Sequence, residues 1–219
     1  MKIKLVVTLV IAALITLGLS PLLDQQLAIV PYTLLSNKFY GETHLWVKII
    51  YYGVNLSTAL LIVIPLVILV RSRHDSLEQK KLVRRMVLIS YLSLAIGPGL
   101  LVNTLFKENW GRARPYQVIR DGHPFSLPWQ PHFNRPADNS FPSGHVSIGA
   151  FIGIPFLVAR RRKLGVALCV LGFVSVGIVR WLQGGHYFSD IILAAIIVWL
   201  STLLIIYVVD RYMLNRKIS

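Results

Sequence analysis

Apolar residues occur in six long runs along the chain, separated by short polar or basic segments. The runs cover residues 5–23, 49–70, 86–106, 146–159, 164–179 and 191–209. Most of them approach the roughly 20 residues that an α-helix needs to cross a bilayer, whereas the fourth would measure only about 21 Å as a helix. The pattern predicts an all-α, polytopic membrane protein with six transmembrane helices, and we treat residues 1–219 as a single domain.

Composition agrees with a membrane protein, since 55% of the residues are hydrophobic, only 15% are charged and the mean hydropathy is +0.63. The net charge of +14 is unevenly distributed. Of the 23 Lys and Arg residues, fifteen lie near the two termini and in segments 71–85 and 160–163. These segments fall on one side of the membrane if six spans alternate. The positive-inside rule then predicts that both termini are cytoplasmic, and the basic excess reflects topology rather than a nucleic-acid partner.

The connecting segments suggest little chemistry of their own. Segment 24–48 is predicted to be an outward loop with a solvated surface. Four side chains in the long outward segment 107–140 are of kinds that bind metals: Asp121, His123, His132 and Asp138. Their irregular spacing is not typical of metal sites, so we predict no metal. Cys169 is the only cysteine and lies within a span, so we expect a small buried apolar residue and no disulfide.

Three polar clusters occur at the outer ends of spans. The first runs from Lys107 to Pro115. If this segment is helical, Lys107 and Arg114 lie seven residues apart on one face, and Pro115 ends the helix.

The second cluster, Phe141 to His145, opens directly onto the fourth apolar run. Ser143 is a favourable helix N-cap, and Gly144 lets the backbone approach a ligand closely. The first amides of the following helix and its dipole favour an anion, and His145 can exchange a proton near neutral pH. Taken alone, these five residues fit an ordinary turn before a helix equally well.

The third cluster contains Arg180, His186 and Asp190. His186 and Asp190 are four residues apart, so a hydrogen bond between imidazole and carboxylate is expected. Because the fourth and fifth spans return the chain to the same side, all three clusters can converge at the outer end of the bundle. Ionisable groups there are functional candidates, although Arg180 or Lys107 alone could simply reach toward the interface.

Together the clusters resemble the tripartite signature of the type 2 phosphatidic acid phosphatase superfamily. The signature comprises Lys107 with six residues to Arg114-Pro115, then Pro142-Ser143-Gly144-His145, then Arg180 with five residues to His186 and three to Asp190. It covers residues 107–190, and six spans match the membrane members of the family. One position departs: Val179 stands where the family usually has serine, which removes a hydroxyl contact to phosphate but no charged group.

The resemblance implies a metal-independent phosphatase with a phosphohistidine intermediate and no cofactor. His186 would attack phosphorus, Asp190 would orient its ring, and His145 would protonate the leaving oxygen. Five residues would hold the phosphate: Lys107, Arg114, Ser143, Gly144 and Arg180. The spacing of the signature selects Arg114, so Arg112 is expected to be a bystander or a headgroup contact.

Stretches 107–115 and 183–190 look most similar to bacterial lipid A phosphatases of this superfamily. The similarity favours a lipid A-type phosphate in the outer leaflet of a bacterial inner membrane, with the site facing the periplasm. Loop 116–139 would then be available for a sugar phosphate headgroup. Phosphatidylglycerophosphate and undecaprenyl pyrophosphate are alternative substrates.

Two other classes of protein share parts of this pattern. A non-catalytic lipid transporter or scaffold would tolerate loss of His186 or Asp190, and both are present. Vanadate-dependent haloperoxidases share the anion site but are soluble. No obligate protein partner is evident in the sequence.

Overall fold

The computed structural model describes residues 2–33, 36–135 and 137–215, which are mostly helical. In chain order they form α1 (Lys2–Ile29), strands β1 (Tyr32–Thr33) and β2 (Lys38–Phe39), α2 (Tyr40–Thr43), α3 (Leu45–Arg71), α4 (Leu77–Leu94), α5 (Pro115–Asp121), α6 (Gly144–Phe151), α7 (Ile154–Val158), α8 (Arg162–Leu182) and α9 (Phe188–Asn215). The two strands pair antiparallel, with Tyr32 opposite Phe39. A 3₁₀ turn, Ser72–His74, follows α3, and a π-helix, Ala95–Lys107, continues α4. The prediction of an all-α protein is confirmed.

Five helices in the described part of the chain are long and apolar enough to cross a membrane: Ile3–Ile29, Leu45–His74, Leu77–Lys107, Arg162–Leu182 and Phe188–Met213. They contain five of the six predicted runs. The fourth run forms two short helices, α6 and α7, within one apolar stretch from Gly144 to Val158. The helical content and the apolar helices support an all-α membrane protein, and the sixth span stays a prediction.

The short helix α6 is enclosed by the longer helices. Val146, Ala150 and Phe151 are each at most 1% exposed. Glycine allows α6 to approach α8 closely, since a Cβ built on Gly149 would lie 2.5 Å from the Gly172 carbonyl oxygen. The N-terminus of α6, which carries the second polar cluster, is therefore held inside the bundle.

The chain enters the first polar cluster through a π-helix, whose turns are wider than those of an α-helix. Pro98 has no N–H to donate to the preceding turn, and its own carbonyl accepts a hydrogen bond from Asn103 Nδ2 at 2.7 Å. Gly97 lies against α9, where a Cβ would be 2.8 Å from Ser201 Oγ. Wide helical turns of this kind are frequent at functional sites, and this one ends at Lys107.

Candidate active site

The polar clusters of the sequence lie together at one end of the bundle. A Cβ built on Gly144 would be 3.4 Å from Lys107 Nζ, so the first cluster contacts the second. The Ser143 amide donates to the Asp190 carbonyl oxygen at 3.3 Å, so the second cluster contacts the third. These contacts join the π-helix and α6 to the start of α9.

His186 lies just before α9 and is only 1% exposed. Its Nδ1 hydrogen-bonds the Ser140 carbonyl oxygen at 2.6 Å. Because a carbonyl only accepts hydrogen bonds, Nδ1 carries the proton, and in the neutral ring Nε2 keeps its lone pair. The ring is thereby held in the tautomer that a nucleophile requires.

The expected hydrogen bond between His186 and Asp190 is absent. Asp190 Oδ2 lies 3.9 Å from His186 Nδ1, which is too far for a hydrogen bond. That oxygen accepts instead from the Ser140 hydroxyl at 2.6 Å and from the Tyr187 amide at 3.0 Å. Ser140 therefore connects the imidazole to the carboxylate, a link that spacing along α9 could not reveal.

Arg112 is not a bystander or a headgroup contact, and that expectation is wrong. Its side chain is completely buried and pairs with two carboxylates, Asp190 and Asp24. The distance from Arg112 Nη2 to Asp24 Oδ2 is 2.8 Å, and Arg112 Nε donates to the Ser126 carbonyl at 2.9 Å. Burial alone would lower the pKa of Arg112, but Asp190 and Asp24 outweigh burial and raise it. Arg112 is thus a buried counter-charge behind the site.

Asp24 also departs from the expectation, since it belongs to α1 rather than to an outward loop without chemistry. It is completely buried. Besides its ion pair with Arg112, it accepts hydrogen bonds from the Ser189 amide at 3.0 Å and the Ser189 hydroxyl at 2.6 Å. Asp24 therefore satisfies donors in the first turn of α9, directly beside Asp190.

The segment between Lys107 and Pro115 is not one helix. The π-helix ends at Lys107, Arg114 is extended with φ −77° and ψ 156°, and Pro115 begins α5 instead of ending a helix. The physical reason is that proline fits the first helical position and disfavours helical backbone in the residue before it. Lys107 and Arg114 thus reach the site from two elements rather than from one face.

Three buried polar atoms near the site have no hydrogen-bond partner among the described residues: Arg114 Nε, Arg180 Nε and Ser143 Oγ. Other atoms of the two arginines are held, since Arg114 Nη2 donates to Asn139 Oδ1 and Arg180 Nη1 to Gln183 Oε1, each at 2.5 Å. Ser143 occupies the predicted N-cap position of α6 but makes no side-chain cap. An anion with several oxygens would satisfy donors placed in this way.

His145 lies in the first turn of α6 and stacks on Tyr51 of α3. The ring centroids are 4.4 Å apart with an interplanar angle of 16°, and Arg180 Cζ lies 5.1 Å from the centroid of the same tyrosine ring. Sequence reasoning missed Tyr51 because it belongs to an apolar run, where a tyrosine is ordinary. In the structure, the Tyr51 ring contacts both His145 and Arg180.

The electrostatic environment keeps His186 neutral. Burial lowers the pKa of His186 well below its ordinary value. The positive charges of Arg180, Arg114 and Lys107 lower it further, and the Ser140 carbonyl offsets only part of the shift. Neutral imidazole is the form that can attack an electrophile.

Within the described residues, no group of three or more His, Cys, Asp or Glu side chains is arranged to hold a metal ion. In the long loop, His123 Nδ1 lies 3.0 Å from Asp138 Oδ1, and Asp138 also accepts from Gln117. Asp121 contacts Arg120 instead. These polar residues of the loop are satisfied by each other.

A cavity of about 360 Å³ opens beside Arg114 and Arg180. Its wall consists mainly of polar and aromatic residues: Gly41, Glu42, Lys48, Tyr51, Tyr52, Tyr116, Arg120, Gln183 and Gly185. Arg120 pairs with Glu42 at 3.2 Å across this wall. The cavity has the size of a small-molecule site, and both arginines line it.

Fold and site together define an all-α membrane protein in which three polar clusters lie together at one end of the helices. The sequence profile of the PAP2 superfamily matches residues 86–214, more than half of the chain, and the protein belongs to this superfamily. The resemblance carried by the three motifs is confirmed. Asp24 and Tyr51 lie outside the matched residues.

Two relatives are both named "Lipid A 4'-phosphatase". The chain is 34% identical over 139 residues to the protein of Francisella tularensis subsp. novicida (strain U112), and the alignment covers 61% of each chain. It is 32% identical over 124 residues to the protein of Rhizobium leguminosarum, covering 52% of this chain and 48% of the relative. The chain thus spans between 48% and 61% of the length of these relatives. No solved structure matches the chain.

Proposed function

We propose that the protein is a lipid phosphatase that works through a phosphohistidine intermediate on His186. The observation that carries the proposal is the hydrogen bond from His186 Nδ1 to the Ser140 carbonyl, which leaves the lone pair of Nε2 free in a strongly cationic site. A neutral imidazole is a nucleophile, and neighbouring cations hold the phosphate that it attacks. Membership of the PAP2 superfamily supports the same reaction.

In the first step, His186 Nε2 attacks phosphorus while the bond from phosphorus to the ester oxygen breaks. The electron pair of that bond goes to the leaving oxygen, and His145 gives it a proton. Burial and the positive charges of Arg180, Lys107 and Arg114 lower the pKa of His145 to about 4, so His145 takes up this proton when the phosphate dianion binds and offsets those cations. The ring of His186 becomes positively charged. Its Nδ1–H is stabilised by the Ser140 carbonyl, and the Asp190 carboxylate acts on it through Ser140. Asp190 is therefore a positioning residue and a counter-charge in this scheme.

In the second step, water attacks the phosphohistidine. His145, now neutral, accepts a proton from that water, and the bond between nitrogen and phosphorus breaks. The electron pair returns to His186 Nε2, and inorganic phosphate is released. The two steps leave both histidines as they began.

The phosphate is held by Lys107, Arg114 and Arg180, with the Ser143 hydroxyl and the Gly144 amide completing the cradle. The unpartnered Nε atoms of both arginines and the unpartnered Ser143 Oγ support this assignment. Such fixed donors stabilise the charge that develops on the phosphoryl oxygens. Three protein cations supply the counter-charge, so we propose that the reaction needs neither a metal nor a cofactor.

For the substrate we propose a lipid A-type molecule with a phosphate monoester on a sugar. Both relatives are named for lipid A, and the polar cavity beside Arg114 supplies room and hydrogen-bonding groups for a headgroup. This cavity lies between residues 41–52 and α5, so residues outside loop 116–139 would also contact the headgroup. Phosphatidylglycerophosphate and undecaprenyl pyrophosphate are the second candidates, because their phosphates fit the same cradle.

The proposed location is the bacterial inner membrane, with six spans, cytoplasmic termini and a periplasmic site. The distribution of Lys and Arg supports this orientation. Cysteine-accessibility labelling of Asp121→Cys in a Cys169→Ala background tests it. Labelling from the cytoplasmic side would reject both the orientation and a substrate in the outer leaflet.

Phosphate release from a panel of pure lipids tests the activity. The panel contains bisphosphorylated lipid A, phosphatidylglycerophosphate, undecaprenyl pyrophosphate and phosphatidic acid, each with and without EDTA. We expect release in EDTA with lipid A preferred, and a labelled phosphoenzyme that His186→Ala abolishes. His74→Ala, at the other end of the bundle, is the matched control. Binding without release from any lipid would favour a transporter or scaffold, and activity restored only by Mg²⁺ would reject the metal-free mechanism.

A further inference from the structure

A second polar cavity lies at the end of the bundle opposite the candidate active site. Its volume is about 620 Å³, and it lies between the start of α4, the segment that joins α7 to α8, and the end of α9. The active-site cluster lies at the other ends of these elements, near Lys107 and Phe188. The proposed phosphatase reaction therefore gives this cavity no role.

The wall of the second cavity has more cations than carboxylates. The cations are Lys81, Arg85, Arg160 and Arg162, and the carboxylates are Glu78 and Asp210. Lys81 pairs with Glu78 at 2.8 Å, and Arg85 pairs with Asp210 at 2.7 Å. Arg160 and Arg162 form no ion pair with any other residue that the structure describes. The cavity therefore presents two cations to an incoming anion.

The backbone at Arg160 adopts a conformation that is unfavourable for an arginine. Arg160 has φ +65°, in the left-handed region that favours glycine. Its amide donates to the Leu157 carbonyl at 3.1 Å, and the Arg161 amide donates to the Phe156 carbonyl at 2.9 Å. These bonds form the turn that commonly ends a helix with glycine. An arginine here carries a conformational cost that glycine would avoid, and a bound anion would offset it.

An apolar cavity of about 460 Å³ flanks the other side of α7. Its wall includes Leu61, Ile64 and Phe156, and Arg161 is its one charged lining residue among those described. Free phosphate would make no favourable contacts with this apolar wall. A hydrocarbon chain below a charged headgroup fits both its apolar wall and its basic rim.

We propose that residues 160–162 form a binding site for an anionic phospholipid. Arg160 and Arg162 hold its phosphate in the second cavity, and one acyl chain enters the apolar cavity beneath Arg161. If the basic segments face the cytoplasm, this lipid belongs to the inner leaflet. The site is separate from the catalytic phosphate cradle and does not depend on the proposed reaction.

The test measures lipid binding by the full-length protein in neutral detergent, by native mass spectrometry and by thermal unfolding. Phosphatidylglycerol is compared with phosphatidylcholine of the same chains. We expect phosphatidylglycerol to bind more tightly, with Kd weakened roughly fivefold by Arg160→Gly and about 30-fold by Arg160→Gly with Arg162→Gln. Without lipid, Arg160→Gly should unfold at a higher temperature than the wild type, since glycine relieves the backbone strain.

Matched controls make the outcome decisive. Arg84→Gln removes an exposed cation from the same end of α4 that lines neither cavity, so it should change Kd less than twofold. Arg162→Gln alone leaves the backbone at Arg160 unchanged and should weaken Kd roughly sixfold, the factor by which the double variant exceeds Arg160→Gly. Equal binding of both lipids, or an equal loss in Arg84→Gln, would overturn the proposal. Binding of inorganic phosphate is measured in the same way. If the double variant weakens it as much as it weakens binding of phosphatidylglycerol, the site would be assigned to free phosphate instead.

Discussion

Asp24→Ala tests whether the buried carboxylate of α1 holds the candidate active site together. Asp24 accepts hydrogen bonds from Arg112 Nη2 at 2.8 Å, from the Ser189 amide at 3.0 Å and from the Ser189 hydroxyl at 2.6 Å. Alanine would remove one of the two carboxylates that neutralise Arg112 and leave two further donors buried. Removing one partner of a buried ion pair costs about 3–5 kcal/mol, so we expect a loss of this size in the free energy of unfolding.

Asp24→Asn separates the charge from the shape of the side chain. An amide keeps one oxygen that can accept from Ser189, but it no longer neutralises Arg112. We expect a loss of roughly 2 kcal/mol, the value of one hydrogen bond to a charged group. Both variants should lower kcat more than they raise KM. Arg112 would then draw Asp190 away from Ser140, whereas the residues proposed to bind phosphate are untouched.

Thermal unfolding and turnover, measured in the same detergent, check both expectations. For a protein of this size, 1 kcal/mol corresponds to about 2–4 °C in Tm, so Asp24→Ala should lower Tm by roughly 6–20 °C. Asp75→Ala, an exposed carboxylate at the other end of the bundle, is the control and should change neither quantity. An Asp24→Ala protein with the Tm and kcat of the wild type would refute the reasoning.

Three further predictions concern the histidines and Tyr51. His186→Ala should abolish the phosphoenzyme, whereas His145→Ala should slow lipid turnover more than turnover of an aryl phosphate, whose leaving group needs no proton; equal loss on both substrates would reverse these roles. Folding lowers the pKa of His186 below its unfolded value of about 6.5 and so favours the neutral ring. The stability this provides should be complete above pH 6.5 and decline below it, and His186→Gln should remove part of that decline in a plot of Tm against pH, since the lowered pKa of His145 contributes the rest. Tyr51→Phe should preserve the ring stacked on His145 and retain turnover, whereas Tyr51→Leu should reduce kcat roughly three- to tenfold; similar kcat values for the two variants would contradict a stacking role.

The long helices could be predicted because their apolar runs are nearly continuous and their ends are marked by basic or polar residues. The convergence of the motifs could also be predicted, since it needs only helices that alternate in direction. The role of Arg112 could not. It shares a short polar segment with Arg114, and what distinguishes the two is a pair of carboxylates 88 and 78 residues away in the chain.

Asp24 and Ser140 were missed for related reasons. Asp24 follows an apolar run directly, where a carboxylate normally marks the end of a span rather than a buried ion pair. Ser140 contributes through its carbonyl as well as its hydroxyl, and the carbonyl carries no residue-specific signal. The predicted contact between His186 and Asp190 placed them correctly as neighbours. It failed because His186 lies before the first residue of α9, so the helical spacing of four residues does not apply, and Ser140 bonds to both side chains.

The dependence of the site on α1 has a consequence for exchanging parts between relatives. Asp24 lies far outside residues 86–214, and Trp181 Nε1 donates to the Leu27 carbonyl at 2.8 Å, so α1 is fastened to α8 as well as to α9. A chimera that grafts only the matched segment onto another N-terminal helix would keep every signature residue and yet leave Arg112 with half of its counter-charge. The smallest transferable catalytic unit therefore includes α1, and a successful swap has to move Asp24 together with Ser189.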